Sequence, residues 1–295
     1  MTHTHTGSLP IGFRLGWSDW QKNLDAVIAF ARQHQFAHLD TDALEPASIR
    51  RVIDGGLGIG SVDLPQPWTQ LASDDAGEQA QAVDRCATYI EAVAPLGVRC
   101  FFAVMFPGRD DMPRAEAHQH AVTGWKQLCQ RVAHTDVRIV LEGYPGGAPH
   151  YPALGCTPES LRALFRDIDS EVLAVNFDPS HLLRMGIDPV RFLNEFINRV
   201  HHVHAKDTEL LDDALYDYGN MQIAVFAWPR EFGQHHWRYT IPGHGQVRWT
   251  RLLETLVEAD YARRISIELE DEQFNGTTEG EQRGLIASQD FLRCV

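Results

Sequence analysis

What the chain lacks narrows its class before anything present is considered. No window approaches the ~18 consecutive apolar residues of a membrane span, although 44% of the residues are apolar. A membrane partner is therefore not expected. The segment from Met1 to Pro10 has no apolar h-region, so no secretory signal is expected either. Cysteine is scarce. Cys86, Cys100, Cys129, Cys156 and Cys294 are odd in number and none has CxxC spacing. That argues against a disulfide framework and for a cytoplasmic location, each cysteine being read as a small buried apolar residue. Basic residues are in deficit: 26 Lys+Arg stand against 40 Asp+Glu, a formal net charge of −14. Nucleic-acid binding depends on cations that release condensed counterions, so DNA or RNA is not the expected partner. The balance suits a soluble enzyme with a neutral substrate, or one that binds a cation.

Other absences concern architecture. No GxGxxG follows the first apolar run, which argues against a dinucleotide fold. The glycines Gly55, Gly56, Gly58 and Gly60 lead into a strand-like run instead, as a turn does. No solenoid-length repeat and no low-complexity segment is visible. The first residues, with alternating His3 and His5, read as a disordered start with weak metal affinity at most.

What the chain does have is an eightfold alternation. Short apolar runs rich in β-branched and aromatic residues lie at Ile11–Leu15, Phe36–Asp40, Leu57–Asp63, Val98–Met105, Val137–Gly143, Val172–Asp178, Val200–Lys206 and Ile265–Glu270. The gaps carry helical spacing, as in Leu24, Val27, Ile28 and Ala31, or in Leu161, Leu164, Phe165 and Ile168 behind the N-cap candidate Thr157. Alternation of this kind predicts an α/β protein with a parallel sheet. Eight units predict a (β/α)8 TIM barrel as one domain over residues 1–295, a doubly wound sheet being the runner-up. One gap, between Lys206 and Ile265, is far longer than a crossover needs. A helix at Trp249–Ala259 fills only its end. Residues 207–245 form an aromatic insertion holding Tyr216, Tyr218, Phe226, Trp228, Phe232, Trp237 and Tyr239. A long ordered loop there is read as a lid or binding loop, or as an oligomer contact.

Four strand ends carry the chemistry. Val140-Leu141-Glu142 and Val175-Asn176-Phe177-Asp178 end in acids, His201-His202-Val203-His204 in an imidazole, and Ile267-Glu268-Leu269-Glu270 in two acids. In a parallel barrel these ends converge on one face. Carboxylates buried together repel and are costly to ionise. A divalent cation removes that cost, and oxygen-rich ligands with one imidazole suit Mn²⁺, Mg²⁺ or Co²⁺. A single strand-end acid is more often a loop cap or an ion-pair partner; four in succession are harder to explain so. Alternation puts Glu268 and Glu270 on one face and does not choose between them.

The segments Leu141-Glu142-Gly143, Asn176-Phe177-Asp178-Pro179-Ser180-His181, His202-Val203-His204-Ala205-Lys206-Asp207, Pro242-Gly243-His244-Gly245 and Ile267-Glu268-Leu269-Glu270 resemble the xylose-isomerase-like sugar isomerase/epimerase superfamily. That group includes ketose 3-epimerases, hydroxypyruvate isomerases and inosose dehydratases, and the similarity covers roughly residues 10–290. The resemblance implies a divalent ion, Mn²⁺ foremost, held by Glu142, Asp178, His204 and Glu268. It selects Glu268 over Glu270. It also implies Glu142 and Glu268 as the acid/base pair, moving a proton α to a carbonyl through a metal-stabilised enediolate. It implies a substrate-contacting His181, which otherwise reads as a helix-start histidine.

Lys206 shares the His204 face, as a stabiliser of an enolate, a substrate contact, or an ion-pair partner. His202 is expected to line the barrel and His201 to point outward. His244, in its tight turn, is a substrate-loop candidate. Trp17 either stacks on a sugar or is a core tryptophan. His235 and His236 have no assigned role.

Simple ketose epimerases carry an arginine soon after the histidine ligand, with a shorter following segment. Here Asp207-Thr208-Glu209-Leu210-Leu211 and the insertion take that place. The added aromatic area points to a larger substrate. The main expectation is therefore a sugar or keto-sugar isomerase or epimerase. The alternative is a metal-dependent lyase or C-glycoside deglycosidase acting on 3-oxo-glycosides. Either is expected to take a small carbohydrate, with a homo-oligomer or hetero-complex formed through residues 207–245. An apurinic-site nuclease and a catalytically dead barrel are weaker readings, the first for want of basic charge, the second because the ligand set is intact.

Overall fold

The computed structural model describes residues 3–146 and 152–295. Its strands are β1 (Ile11–Arg14), β2 (His38–Thr41), β3 (Gly58–Asp63), β4 (Cys100–Val104), β5 (Arg138–Glu142), β6 (Leu173–Phe177), β7 (Val200–Ala205), β8 (Asp207–Leu210), β9 (Trp237–Thr240) and β10 (Ile265–Ile267). Eight of them close a barrel in the order β1-β10-β7-β6-β5-β4-β3-β2. Every pairing in it is parallel. Ile11 opposite Ile265 and Phe13 opposite Leu39 seal the two sides of β1. All eight apolar runs became barrel strands, seven of them trimmed at one or both ends, while β2 starts later than its run and extends one residue past it, to Thr41.

Side chains alternate across each strand, and the two faces differ sharply in chemistry. The outward face is apolar: Ile11, Phe13, Leu39, Phe101, Ile139, Leu141, Phe177, Val203, Ile265 and Ile267 are all buried. Phe13 packs edge-on to Phe30 of the helix Leu24–Gln33 and to Phe36. Truncating such a ring costs about 3–5 kcal/mol. The helices that supply the other wall start where the sequence marks them. Thr157 and Ser160 form a reciprocal capping box at the start of Pro158–Ile168.

The inward face is polar instead. His38, Asp40, Ser61, Asp63, Asn176, His202, His204 and Ser266 are buried there. His38 Nε2 lies 2.9 Å from Ser266 Oγ, and His202 Nε2 lies 2.7 Å from Asp40 Oδ2. Gly60 makes room for this column, since a Cβ there would overlap Asp40 Oδ1. Gly55 and Gly56 thus make the turn that leads to β3, as the sequence suggested, with Gly58 and Gly60 inside the strand.

The insertion is not a plain long loop. β8 and β9 form an antiparallel pair with Asp207 opposite Thr240 and Leu210 opposite Trp237. A short helix, Asp212–Tyr218, lies between them. Asp207 closes the return path. Its carboxylate accepts hydrogen bonds from the backbone N–H of Gly243 (3.0 Å) and Val247 (2.9 Å) and from Trp249 Nε1 (3.0 Å). Gly243 has φ +89 there, a left-handed geometry that suits glycine.

Two smaller expectations are corrected. The start of the chain is ordered from His3, which bridges Pro10, because Thr4 N–H bonds back to Leu9 O; Met1 and Thr2 lie outside the described residues. The cysteines are free, but only three are buried. Cys294 is exposed at the end of the last helix, and Cys100 is half-buried at the N-terminal end of β4. Among the described residues no helix is long and apolar enough to cross a membrane.

Candidate metal centre

The C-terminal strand ends bring Glu142, Asp178, His204 and Glu268 together. One ligand-type atom from each lies within 4.8 Å of the others. Glu142 is the last residue of β5, and Asp178 follows β6 as the N-cap of the helix Pro179–Arg184. His204 sits in β7 and Glu268 just past β10. His204 Nδ1 faces the cluster, 2.7 Å from Glu142 Oε2 and 3.4 Å from Glu268 Oε2. Its Nε2 faces the other way, 3.3 Å from Asp40 Oδ2. Phe102 stacks on the ring at 5.3 Å and fixes its plane.

These residues fit a divalent ion. Both ring nitrogens of His204 and Oδ2 of Asp178 are buried with no aligned hydrogen-bond partner. Orphaned buried groups of this kind are costly, and a cation in the cluster would satisfy His204 Nδ1 and Asp178 Oδ2, with His204 Nε2 left facing Asp40. A second grouping, Asp40, His202 and His204, also has the right atoms. There the His202–Asp40 hydrogen bond already satisfies both partners, so that pair orients His204 from behind.

Electrostatics bind the cluster tightly. Burial opposes charge on Glu142, yet His204 and His181 hold its pKa well below the usual value. Glu268 is lowered too, with Lys206 as the chief opposing force to burial. Burial also opposes charge on His204, but Glu268 and Glu142 outweigh it and raise its pKa well above the ordinary one.

Lys206 is fully buried and pairs with Glu268 Oε2 (2.6 Å), Glu270 Oε2 (2.9 Å) and Asp178 Oδ2 (3.4 Å). Those carboxylates hold its pKa well above the usual lysine value against burial. Of the roles open to Lys206, ion pairing is the one this geometry displays. Glu270, level with Glu268 by alternation, faces Lys206 and stands outside the four-residue cluster.

His181 occupies the first turn of its helix but points into the site. Its Nε2 lies 3.2 Å from Glu142 Oε1 and 3.4 Å from Asp178 Oδ2, and its Nδ1 lies 2.6 Å from Tyr239 Oη. Tyr239 comes from β9, so the insertion builds one wall of the site. Trp17 is not a core tryptophan: it is 66% exposed beyond β1. His244 is exposed in its turn and tilts against Phe274 (6.1 Å). His235 packs on Tyr218 within the insertion, and His236 O accepts the Leu211 N–H.

Several site residues escaped the sequence. Arg14 forms a two-pronged bond with Asp63 (2.8 and 2.9 Å) and sets its Nε 3.4 Å from Glu268 Oε1. Asn176 Nδ2 donates to Glu142 Oε2 at 2.8 Å. Asp40 and Asp63 each end an apolar run, as Asp178 does, and that was the available signal. Beside the cluster, Tyr144, Arg184, Trp237, Tyr239 and Glu270 line a cavity of about 260 Å³. Arg184 lies over the rings of Trp237 (4.4 Å) and Tyr144 (5.3 Å).

The sequence pattern of the family described as xylose isomerase-like TIM barrel matches residues 21–294. The chain belongs to that family. YfiH of Bacillus subtilis (strain 168) is 30% identical over 154 residues, 51% of this chain and 46% of that protein. An inosose dehydratase of Clostridium botulinum (strain Eklund 17B / Type B) is 26% identical over 149 residues, 50% of this chain and 46% of the other. The chain spans about half the length of the curated relatives it matches. Solved structures align over nearly the whole barrel. A D-tagatose 3-epimerase-like protein gives a TM-score of 0.69 at 20% identity, covering 96% of both chains. The 3-keto-D-glucoside 4-epimerase of E. coli gives 0.69 at 14% identity, covering 97% of this chain and 99% of that one. At such identities the likeness establishes the xylose isomerase-like fold alone.

Proposed function

We propose that the chain is a divalent-metal-dependent isomerase or epimerase of a sugar or keto-sugar, working by proton transfer α to a carbonyl. The observation that carries this is the convergence of Glu142, Asp178, His204 and Glu268 at one point, with Glu142 and Glu268 reaching His204 Nδ1 from separate strands. Those four residues would hold the ion, Mn²⁺ foremost. When bound, such an ion supplies Lewis acidity that lowers the cost of negative charge on a carbonyl oxygen.

The rest falls to the chain's own groups. Glu142 is kept ionised by His204 and His181, and Glu268 by Lys206, so either can accept a proton at neutral pH. One carboxylate removes the α proton; the other first takes up a proton from solvent and then delivers it to the opposite face of the carbon, which inverts the centre and leaves the two groups with their protonation states exchanged. Asn176 and His181 hold Glu142 in place, while Lys206 and Arg14 hold Glu268. His181, braced by Tyr239, is suited to a substrate hydroxyl. Matched relatives and neighbours named as epimerases and dehydratases support an enzyme of this type.

A second reading rests on the aromatic cavity beside the cluster. It has room for a group attached to the sugar. A lyase would use the same α-proton removal, after which the group at the β position leaves with a proton from His181. The exposed tip of the insertion supports a role in assembly for either reading: Tyr216, Phe226 and Trp228 are 90%, 96% and 91% exposed. We assign it to contact with a second subunit, and Phe226→Ser with Trp228→Ser should then lower the sedimenting mass.

Turnover of ketoses and 3-oxo-glycosides in D2O by the Mn²⁺-loaded protein distinguishes the readings. An epimerase exchanges one carbon-bound hydrogen and releases nothing. A lyase releases water or the attached group. Turnover unaffected by EDTA and by both glutamate-to-glutamine changes would sink both.

A further inference from the structure

The N-terminal mouth of the barrel holds a second cavity, of about 300 Å³. It lies at the opposite end from the metal-type cluster. Arg99, Arg138, Arg263 and Arg264 line it, together with His201 and one acid, Asp136. Arg99 precedes β4, Arg138 opens β5, His201 lies near the start of β7, and Arg263 and Arg264 precede β10.

These arginines are short of anionic partners. Arg99 donates only to the carbonyls of Ala94 and Val98. Arg263 Nε donates to His201 Nδ1 at 3.3 Å. Among the described residues the nearest ion pair is Arg138 to Asp136, at 4.0 Å. Several surface arginines elsewhere do have carboxylate partners: Arg162 with Glu195 at 2.5 Å, Arg166 with Asp167 at 2.6 Å, Arg248 with Asp188 at 3.0 Å. In a chain of net charge −14, gathering four guanidinium groups around one concavity with a single acid, Asp136, at the limit of ion-pair distance leaves an excess of positive charge that favours a counter-charge. His201 adds none. Burial and the nearby Arg263, Arg138 and Arg199 push its pKa down to about 4, so at neutral pH it is an acceptor for Arg263.

We propose that this cavity is a binding site for a small phosphoryl-bearing anion. Guanidinium forks grip phosphoryl oxygens in pairs, and four of them from three strand starts can surround a compact polyanion. A flat nucleic-acid track would need a longer basic surface than one pocket. The volume admits more than a lone phosphate group. The site is separate from the catalytic cluster: His202 lines the cavity, and beyond it come Asp40 and then His204.

Inorganic pyrophosphate is the probe, titrated calorimetrically into the metal-loaded protein at constant ionic strength. The wild type should bind it saturably. Arg138→Gln with Arg264→Gln should weaken it about tenfold or more, the loss expected from removing charge-assisted contacts. Arg99→Gln with Arg263→Gln, both at exposed positions, should do likewise and guards against misfolding of the first pair. Glu268→Gln should leave the affinity unchanged, which separates this site from pyrophosphate on a metal. No saturable binding, wild-type affinity in both arginine pairs, or loss in Glu268→Gln would overturn the proposal. So would pyrophosphate that splits an oligomer, since the cavity would then be seating acids of a second copy.

Discussion

At the C-terminal mouth of the barrel, Glu142, Asp178, Glu268 and Glu270 crowd around His204 and Lys206; at the N-terminal mouth, Arg99, Arg138, Arg263 and Arg264 face Asp136. The same eight strands supply both ends. Parallel strands put all their C-termini on one side, so residues that end strands meet each other, and so do residues that begin them. The mouths differ in how their charge is met. The acidic mouth has internal cations and is buried. The basic mouth is open to water and is left with unpaired guanidinium groups. Excess charge of either sign favours a counter-ion, which is the common ground for the ligand proposed at each mouth.

The sharpest break in this comparison is chemical. Glu142→Gln or Glu268→Gln should cut turnover of the true substrate by about 10³-fold, the usual scale of acid/base catalysis, while the arginine changes at the other mouth leave turnover intact. Steady-state rates on the Mn²⁺-loaded proteins check this. Next in size is Lys206→Met. It leaves buried carboxylates without their cation and should cost about 3–5 kcal/mol, read by urea unfolding. The loss should be larger in EDTA than with Mn²⁺, because a divalent ion can neutralise the same acids.

The third prediction concerns pH at the basic mouth. His201 titrates near 4 in the folded chain against an ordinary 6.5, because of burial and then its arginines. The unfolded chain therefore binds the proton first as pH falls. Stability should be full above about 6.5 and decline between about 6.5 and 4. His201→Gln should flatten that stretch of the curve, and pyrophosphate should shift it to lower pH dependence in the wild type alone. The smallest effect is Tyr239→Phe. It removes the hydroxyl bonded to His181 and should cost about 1 kcal/mol of stability, with KM moving more than the metal content.

Much of this was legible from residue order. The apolar runs marked eight strands because strands buried on both sides must be short and hydrophobic. Glu142, Asp178 and His204 could be picked out because each ends such a run. Glu268 could not be separated from Glu270 by alternation; geometry separates them, since Lys206 reaches both but only Glu268 also approaches His204 Nδ1. For Trp17 and His244 residue order offered a position only; the fold adds that one is 66% exposed and the other packs against Phe274. Nearness in sequence to a strand end does not fix side-chain direction.

What the sequence determined by itself was the periodic pattern and the type of residue at each strand end. It did so because alternation and helical spacing are local properties of the chain. Only the tertiary structure decided the pairings: Arg14 with Asp63, Asp40 with His202, Tyr239 with His181, and the arginines that share one cavity. Each joins strands far apart in sequence, and no local rule says which strand ends come within 4 Å once a barrel closes.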